Sequence, residues 1–275
     1  MSGDVLNLKE EALAKACCAD LYQSPLARQI LGDPPHPGGL AATNRLVRLM
    51  DIAQGDWVLD LASARGTSAM AISRVFHCNV VGLEFGAEPV ALARATASGP
   101  PSTPRAFFLR GDAERPPLMA DSFDGVICEC SMSLFADKPS AVAQAVRVLK
   151  PGGRLGLSDM TAEPGALPQE LQGYIGQVLC LAQALTVSGY VEVLERGGLT
   201  VTHRENASGG LVRILDDVEA KLGALAAWQD IAPQQGLDPG IEPGMLNEAP
   251  QLIQRLRGLV DEGRLGYWLF TARKP

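Results

Sequence analysis

The sequence predicts an α/β fold: a Rossmann-like, seven-stranded, mostly parallel sheet with helices on both faces, an N-terminal helical cap and a helical insertion before the last strand. Three observations predict it. Short apolar runs bounded by turn residues alternate with helix-like runs, the pattern of parallel βαβ units. The strand-like runs end in small residues or an acid, as "DWVLDLAS" and "CNVVGLEF" do. The chain has 275 residues, 47% of them apolar, enough for the large core that such a sheet needs; at roughly 150 residues per domain it is one large domain or two small ones.

The elements follow in order. Leu8 to Tyr22 is rich in helix formers, with Leu13, Cys17 and Leu21 at four-residue spacing. "LGDPPHPGG" (Leu31 to Gly39) is punctuated by proline and glycine and breaks regular structure, and a helix follows over Leu40 to Met50. Asp56 to Ser63 is the first strand, Thr67 to Phe76 a helix, Cys78 to Phe85 the second strand and Ala87 to Ser98 a helix. "AFFLRGDAE" and "FDGVICEC" are the third and fourth strands. "KPSAVAQAVRVLKPGG" is a helix with a Pro-Gly-Gly stop, and "RLGLSDM" is the fifth strand. Beyond Pro168 a helix is expected to about Leu185, then a short helix in "SGYVEVLERGG" and a sixth strand near "LTVTHREN". Two helical stretches, Gly210 to Ile231 and Met245 to Glu262, flank the loop "PQQGLDPGIEPG", and "GYWLFTARK" is the seventh strand. The expected organisation is a cap over 1–50, a core over 51–208, an insertion over 209–262 and a last core strand over 263–275.

Composition excludes several classes. With 24 basic and 31 acidic residues the net charge is −7, and no dense Lys/Arg cluster stands against it, so nucleic acid is not the expected partner. No apolar run is long enough to span a membrane, and Met1 to Glu11 does not read as a signal peptide, so a cytoplasmic location is expected. The six cysteines, Cys17, Cys18, Cys78, Cys128, Cys130 and Cys180, are then expected to stay reduced, and no CxxC pair points to structural zinc.

Ligands of such sheets bind beyond the carboxyl ends of the strands, where strand order reverses. The loop Asp60-Leu61-Ala62-Ser63-Ala64-Arg65-Gly66 falls there, its small residues allowing close approach. Glu84, with Phe85 behind it, ends the second strand and is placed to accept hydrogen bonds from ribose hydroxyls. Asp112 and Ala113, after the third strand, are placed at an adenine edge.

In "VLDLASARG", Glu84, "GDAERPPLMADSFDGVI" and "VLKPGGRLGLSDM", over roughly residues 55 to 160, the chain resembles the class I S-adenosylmethionine-dependent methyltransferases. The resemblance implies S-adenosyl-L-methionine as cofactor, held by Asp60, Ala62, Ser63, Gly66, Glu84, Phe85, Asp112 and Ala113, with Tyr22 of the cap flanking it. A nicotinamide site would instead want G-x-G-x-x-G opening a helix on a pyrophosphate. The chain departs from the family's D-x-G-x-G-x-G at Ala62 and Ala64, which stand at the first two glycine positions.

"CSMSLFADKPSAVAQAVRVLKPGGRLGLSDM" followed by "VLCLAQAL" is similar to the arsenite methyltransferase branch. By that similarity Cys130 and Cys180 are the thiol ligands of a trivalent arsenical, a soft centre that prefers sulfur. A third thiol is expected from Cys128, from Cys17 or Cys18, or from a small-molecule thiol. The residues themselves add two points. Cys128 and Cys130 lie two apart, hence on one face while the strand lasts. At about 100° per residue, Cys180 falls opposite Leu171 on a helix whose apolar stripe is Leu171, Ile175, Val178, Ala182 and Leu185, among the small residues Gly173, Gly176 and Ala184. Cys17 and Cys78 read as core.

Other acceptors stay open: a small organic O, N or S nucleophile, with Asp159, Glu129 or His36 as a base, or arsenical binding without catalysis, which the two alanines motivate. His36 is read as fixing its turn, His77 and His203 as surface residues, and Arg65 as solvated.

Overall fold

A computed structural model of the protein describes residues 33–34, 36–98, 105–171, 176, 180–181, 183–231 and 249–275. The elements are α1 (Gly39–Leu49), β1 (Trp57–Leu61), α2 (Thr67–Phe76), β2 (Asn79–Glu84), α3 (Ala87–Ala97), β3 (Ala106–Arg110), β4 (Phe123–Glu129), α4 (Lys138–Val148), β5 (Leu149–Ala162), α5 (Val187–Arg196), β6 (Thr200–Asn206), α6 (Gly209–Ile231), α7 (Ala249–Asp261) and β7 (Leu265–Arg273). One seven-stranded sheet runs β3-β2-β1-β4-β5-β7-β6. Pairing is parallel from β3 across to β5, and β7 inserts antiparallel between β5 and β6. This is the expected mostly parallel α/β architecture. Strand order reverses at β1, between β2 and β4, which places the ligand crevice over the carboxyl ends of these strands.

The two-residue period of the strands sorts the core into two layers. Val58, Val80 and Ile127 pack with Leu46, Val47 and Met50 of α1, Ala69 and Ile72 of α2 and Leu211 and Leu215 of α6. Leu59, Leu61, Leu83 and Cys128 face the other way, onto Ala141 and Val142 of α4 and Tyr190 and Leu194 of α5. Asp137 caps α4, its side chain accepting from Ser140 N, with Pro139 in the first turn where its missing N–H costs nothing. α6 and α7 both fall between β6 and β7 in the chain, joined by ion pairs from Arg257 to Asp216 and to Glu219.

Two local expectations are corrected. The Pro-Gly-Gly stretch does not trail the fourth helix; α4 ends at Val148 and β5 begins at Leu149, with a register shift in its pairing to β4 between Phe123 and Gly125. The helix expected through Cys180 does not reach it. Gln169–Leu171 is a short 3-10 turn, and Cys180 lies in a turn at φ 58, outside the helical region. Cys17, Cys18 and Tyr22 lie outside the described residues. Among those described, no helix is long and apolar enough to cross a membrane.

Candidate functional site

The loop after β1 is pinned from β2. Ser63 N donates to Leu83 O at 3.0 Å, and Gly66 N closes the turn on Ser63 O at 2.8 Å. Glu84 accepts from Ala64 N at 2.9 Å through Oε2 and from Gly86 N at 2.8 Å through Oε1. Burial raises its pKa and these backbone donors oppose the rise. Each of its oxygens keeps a lone pair for a further donor. Ala62 and Ala64 stand at φ 57 and φ 46, so the loop holds a left-handed backbone at both positions despite their Cβ atoms. That conformation costs an L-residue roughly 1–2 kcal/mol. Ala62→Gly and Ala64→Gly are therefore each expected to stabilise the chain by about 1 kcal/mol, read as a higher urea midpoint.

Over the crevice the carboxylates gather. Asp60 is 3% exposed, and Oδ2 has no hydrogen-bond partner; burial first, then Glu129 and Glu84, hold its pKa well above the carboxylate range. Ser63 Oγ and Glu129 Oε1 are likewise buried without partners. Glu129 closes β4 on the same face as Asp60, because β1 and β4 pair Asp60 with Ile127, two residues before it. Acceptors left open beside concentrated negative charge fit a cationic ligand that brings N–H or O–H donors, as a sulfonium amino acid does. Two glycines let the loop and β2 pack closely on Phe108 and Ser63. A Cβ on Gly66 would fall 2.3 Å from Phe108 Cζ, and one on Gly82 would fall 2.6 Å from Ser63 Oγ. The residues present thus fit S-adenosylmethionine. Asp112 Oδ1 accepts from Glu114 N at 2.9 Å, which fixes the turn after β3, and Ala113 is buried beside it. Phe85 is half-buried next to Glu84, its carbonyl accepting from Arg110 Nε at 3.1 Å.

The cysteines separate in a way that strand periodicity missed. Cys128 points into the layer under α4 and α5, its Sγ 3.2 Å from Ser131 Oγ, where burial pushes the thiol far up. β4 stops at Glu129, and Cys130 turns at φ 49, so its side chain packs on the opposite layer. The expectation that Cys128 and Cys130 share a face is corrected for that reason. Cys180 is in that opposite layer too, 1% exposed, and donates from Sγ to Cys130 O at 3.0 Å. A hydrogen bond with the Cys180 thiol, then burial, then Cys180, Asp159 and Glu129 push the Cys130 thiol well above its ordinary value. The structure thus brings Cys130 and Cys180 together and leaves Cys128 apart. Cys78 is fully buried core, and His77 is exposed.

Two residues read only weakly in the sequence take definite places. His36 does more than fix its turn. It is 5% exposed, with Nε2 3.6 Å from Glu129 Oε2 and 3.4 Å from Thr43 Oγ1. Asp159 has both oxygens engaged, accepting from Ser133 N at 2.9 Å and from its own neighbour Met160 N at 2.7 Å. Ser158 O accepts from Cys130 N at 2.7 Å, so the end of β5 holds both sides of the Cys130–Ser133 turn. Asp159 thereby fixes the Cys130–Ser133 turn to the end of β5.

Burial raises the Asp159 pKa from 3.8 to about 6 against those donors. A raised folded-state value favours the protonated form, so its contribution to stability is complete below pH 3.8 and is lost as pH rises through 6. Between pH 4 and 7 the chain is expected to lose about 2 kcal/mol more unfolding free energy than Asp159→Asn, read by urea melts at both pH values.

Residues 58–153 match a family described as "Methyltransferase domain". Among curated relatives, 27-O-demethylrifamycin SV methyltransferase of Amycolatopsis mediterranei (strain S699) is 26% identical over 237 residues, 85% of this chain and 82% of that one. Arsenite methyltransferase of Aquipseudomonas alcaligenes is 28% identical over 214 residues, 72% of this chain and 60% of that one. The solved mycolic acid cyclopropane synthase CmaA1, complexed with SAH and CTAB, superposes at a TM-score of 0.75 with 16% identity, covering 96% of this chain and 98% of that chain, and shares its fold.

Proposed function

Because the chain is an S-adenosylmethionine-dependent methyltransferase of the class I fold, we propose that its acceptor is a trivalent arsenical, or a similar thiophilic centre, held by Cys130 and Cys180. One observation carries this reading: two cysteines fifty positions apart in sequence meet, Sγ of one on the carbonyl of the other, beside the carboxylate-lined crevice. The sequence resemblance to arsenite methyltransferases implies the same pair.

The Cys180 thiol and burial hold the Cys130 thiol protonated in the resting protein, and Cys180 Sγ donates its hydrogen bond to Cys130 O. Each As–S bond forms as a hydroxide on arsenic leaves with the thiol proton as water, so capture needs no base. Two thiols leave one of arsenic's three bonds to be filled. Cys128 faces the other layer, and among the described residues no three or more His, Cys, Asp and Glu side chains are placed to hold one metal ion together. With Cys128 set apart, the third bond is carried by Cys17 or Cys18, which lie outside the described residues, by a substituent already on the arsenic, or by a small-molecule thiol. When bound, S-adenosylmethionine supplies a methyl group on a sulfonium: its C–S bond breaks as the arsenic lone pair forms an As–C bond, and the positive charge passes from sulfur to arsenic. What the protein adds is alignment and exclusion of water. Cys180 is closed off from solvent, and the Cys130 turn is tied down by Ser158 and Asp159.

A second reading, a small organic hydroxyl or amine as acceptor, draws on the rifamycin relative. Incubating the pure chain with S-adenosylmethionine and arsenite, methylarsonous acid or a panel of small organic hydroxyls and amines, with mass detection of products, tests both. Methylated arsenic is expected. Methyl transfer confined to organic hydroxyls or amines, with arsenic untouched, would install the second reading.

A further inference from the structure

We propose that Glu129, set by Thr43 and His36, is a second carboxylate for the amino-acid end of S-adenosylmethionine. The inference rests on the donor and not on the arsenical reading.

Adenine assigned to the turn after β3 and ribose to Glu84 leave the methionine end of the donor over β1 and β4, where Asp60 and Glu129 share a face. The two carboxylates are close enough for the Glu129 charge to lift the Asp60 pKa, yet Asp60 Oδ2 and Glu129 Oε1 are both buried with no hydrogen-bond partner. An unmade bond to a buried charged acceptor is costly, and an ammonium group, with three donors and a positive charge, removes that cost for both at once.

The other oxygen of Glu129 is already committed. Thr43 Oγ1 donates to Oε2 at 3.1 Å, and His36 Nε2 lies 3.6 Å from the same atom. This fixes the carboxylate so that Oε1, and not Oε2, is left for a ligand. The support extends to α6. A Cβ on Gly210, in the first turn of α6, would fall 2.6 Å from Gly38 N and 3.0 Å from the Pro37 carbonyl carbon, so α6 is packed backbone to backbone on the loop that carries His36.

The test is calorimetry on the full chain with two ligands, S-adenosylhomocysteine and 5′-methylthioadenosine. They share the adenosine and the thioether sulfur, and only the first carries the ammonium. Glu129→Gln is expected to weaken S-adenosylhomocysteine roughly 10- to 100-fold, the range for a charged hydrogen bond, and to leave 5′-methylthioadenosine unchanged. Unchanged binding of S-adenosylhomocysteine, or equal weakening of both ligands, overturns the assignment. Should Glu129→Gln fail to fold, Thr43→Val, which removes only the supporting donor, is expected to give a smaller loss with the same selectivity. Equal loss for both ligands in that variant, or none, overturns it as well.

Discussion

Cys130→Ser and Cys180→Ser are each expected to lower arsenical methylation at least about 100-fold while leaving S-adenosylmethionine affinity unchanged. A hydroxyl is a hard, weakly binding replacement for a soft thiol. An acceptor held by one sulfur is no longer fixed against the donor, and a displacement near 1 Å alone costs on the order of 100-fold. The donor crevice should survive both changes, because its contacts run through Ser63, Ala64, Glu84 and Gly86 and not through either thiol. A second readout separates this from unfolding. Cys130 stands at φ 49 and Cys180 at φ 58, so Cys130→Gly and Cys180→Gly relieve backbone strain and should melt no lower than the parent while still losing turnover. Product formation that persists in either serine variant would mean that the thiols do not carry the acceptor.

Gly66→Ala is expected to abolish donor binding and to cost about 2–5 kcal/mol of stability, the sum of a left-handed alanine and an overpacked ring. Gly66 sits at φ 78, and its Cβ would lie 2.3 and 2.4 Å from two atoms of the Phe108 ring. The ring is held close to β2 as well, where a Cβ on Gly82 would lie 2.5 Å from Phe108 Cδ1. Pushing the turn away instead would break the Gly66 N to Ser63 O bond and carry Ala64 N off Glu84. Adding Phe108→Leu should recover part of both losses, because the clash is with the ring; an unchanged donor affinity in Gly66→Ala would show that the loop does not shape the crevice. Thermal melts and calorimetric titration read both effects.

The contrast between Gly66 and the alanines shows what the sequence could convey. The order of strands and helices, the turn after β1 and the acid ending β2 are local patterns, and all of them were readable. The replacement of two glycines at Ala62 and Ala64 was visible too, but not that the backbone keeps its left-handed course through both; that depends on Glu84 and Leu83 holding the loop from the neighbouring strand. Periodicity failed where an element ends early. Cys128 and Cys130 obey the two-residue rule only while β4 lasts, and Cys180 obeys the helical wheel only if the helix reaches it; a left-handed residue intervenes at Cys130 and at Cys180. His36 was illegible for another reason. Its Pro-rich surroundings explain a turn completely, and its contacts with Thr43 and Glu129 arise from tertiary packing of α1 against the end of β4. For Asp159 the sequence shows a carboxylate at a strand end but not the two backbone donors by which it fixes the neighbouring turn.

The most direct test of the account is X-ray absorption at the arsenic edge on the full chain loaded with methylarsonous acid and S-adenosylhomocysteine. The account predicts two sulfur neighbours per arsenic in the parent and one in either Cys130→Ser or Cys180→Ser. Arsenic surrounded by oxygen alone, or a sulfur count that both variants leave intact, would contradict it.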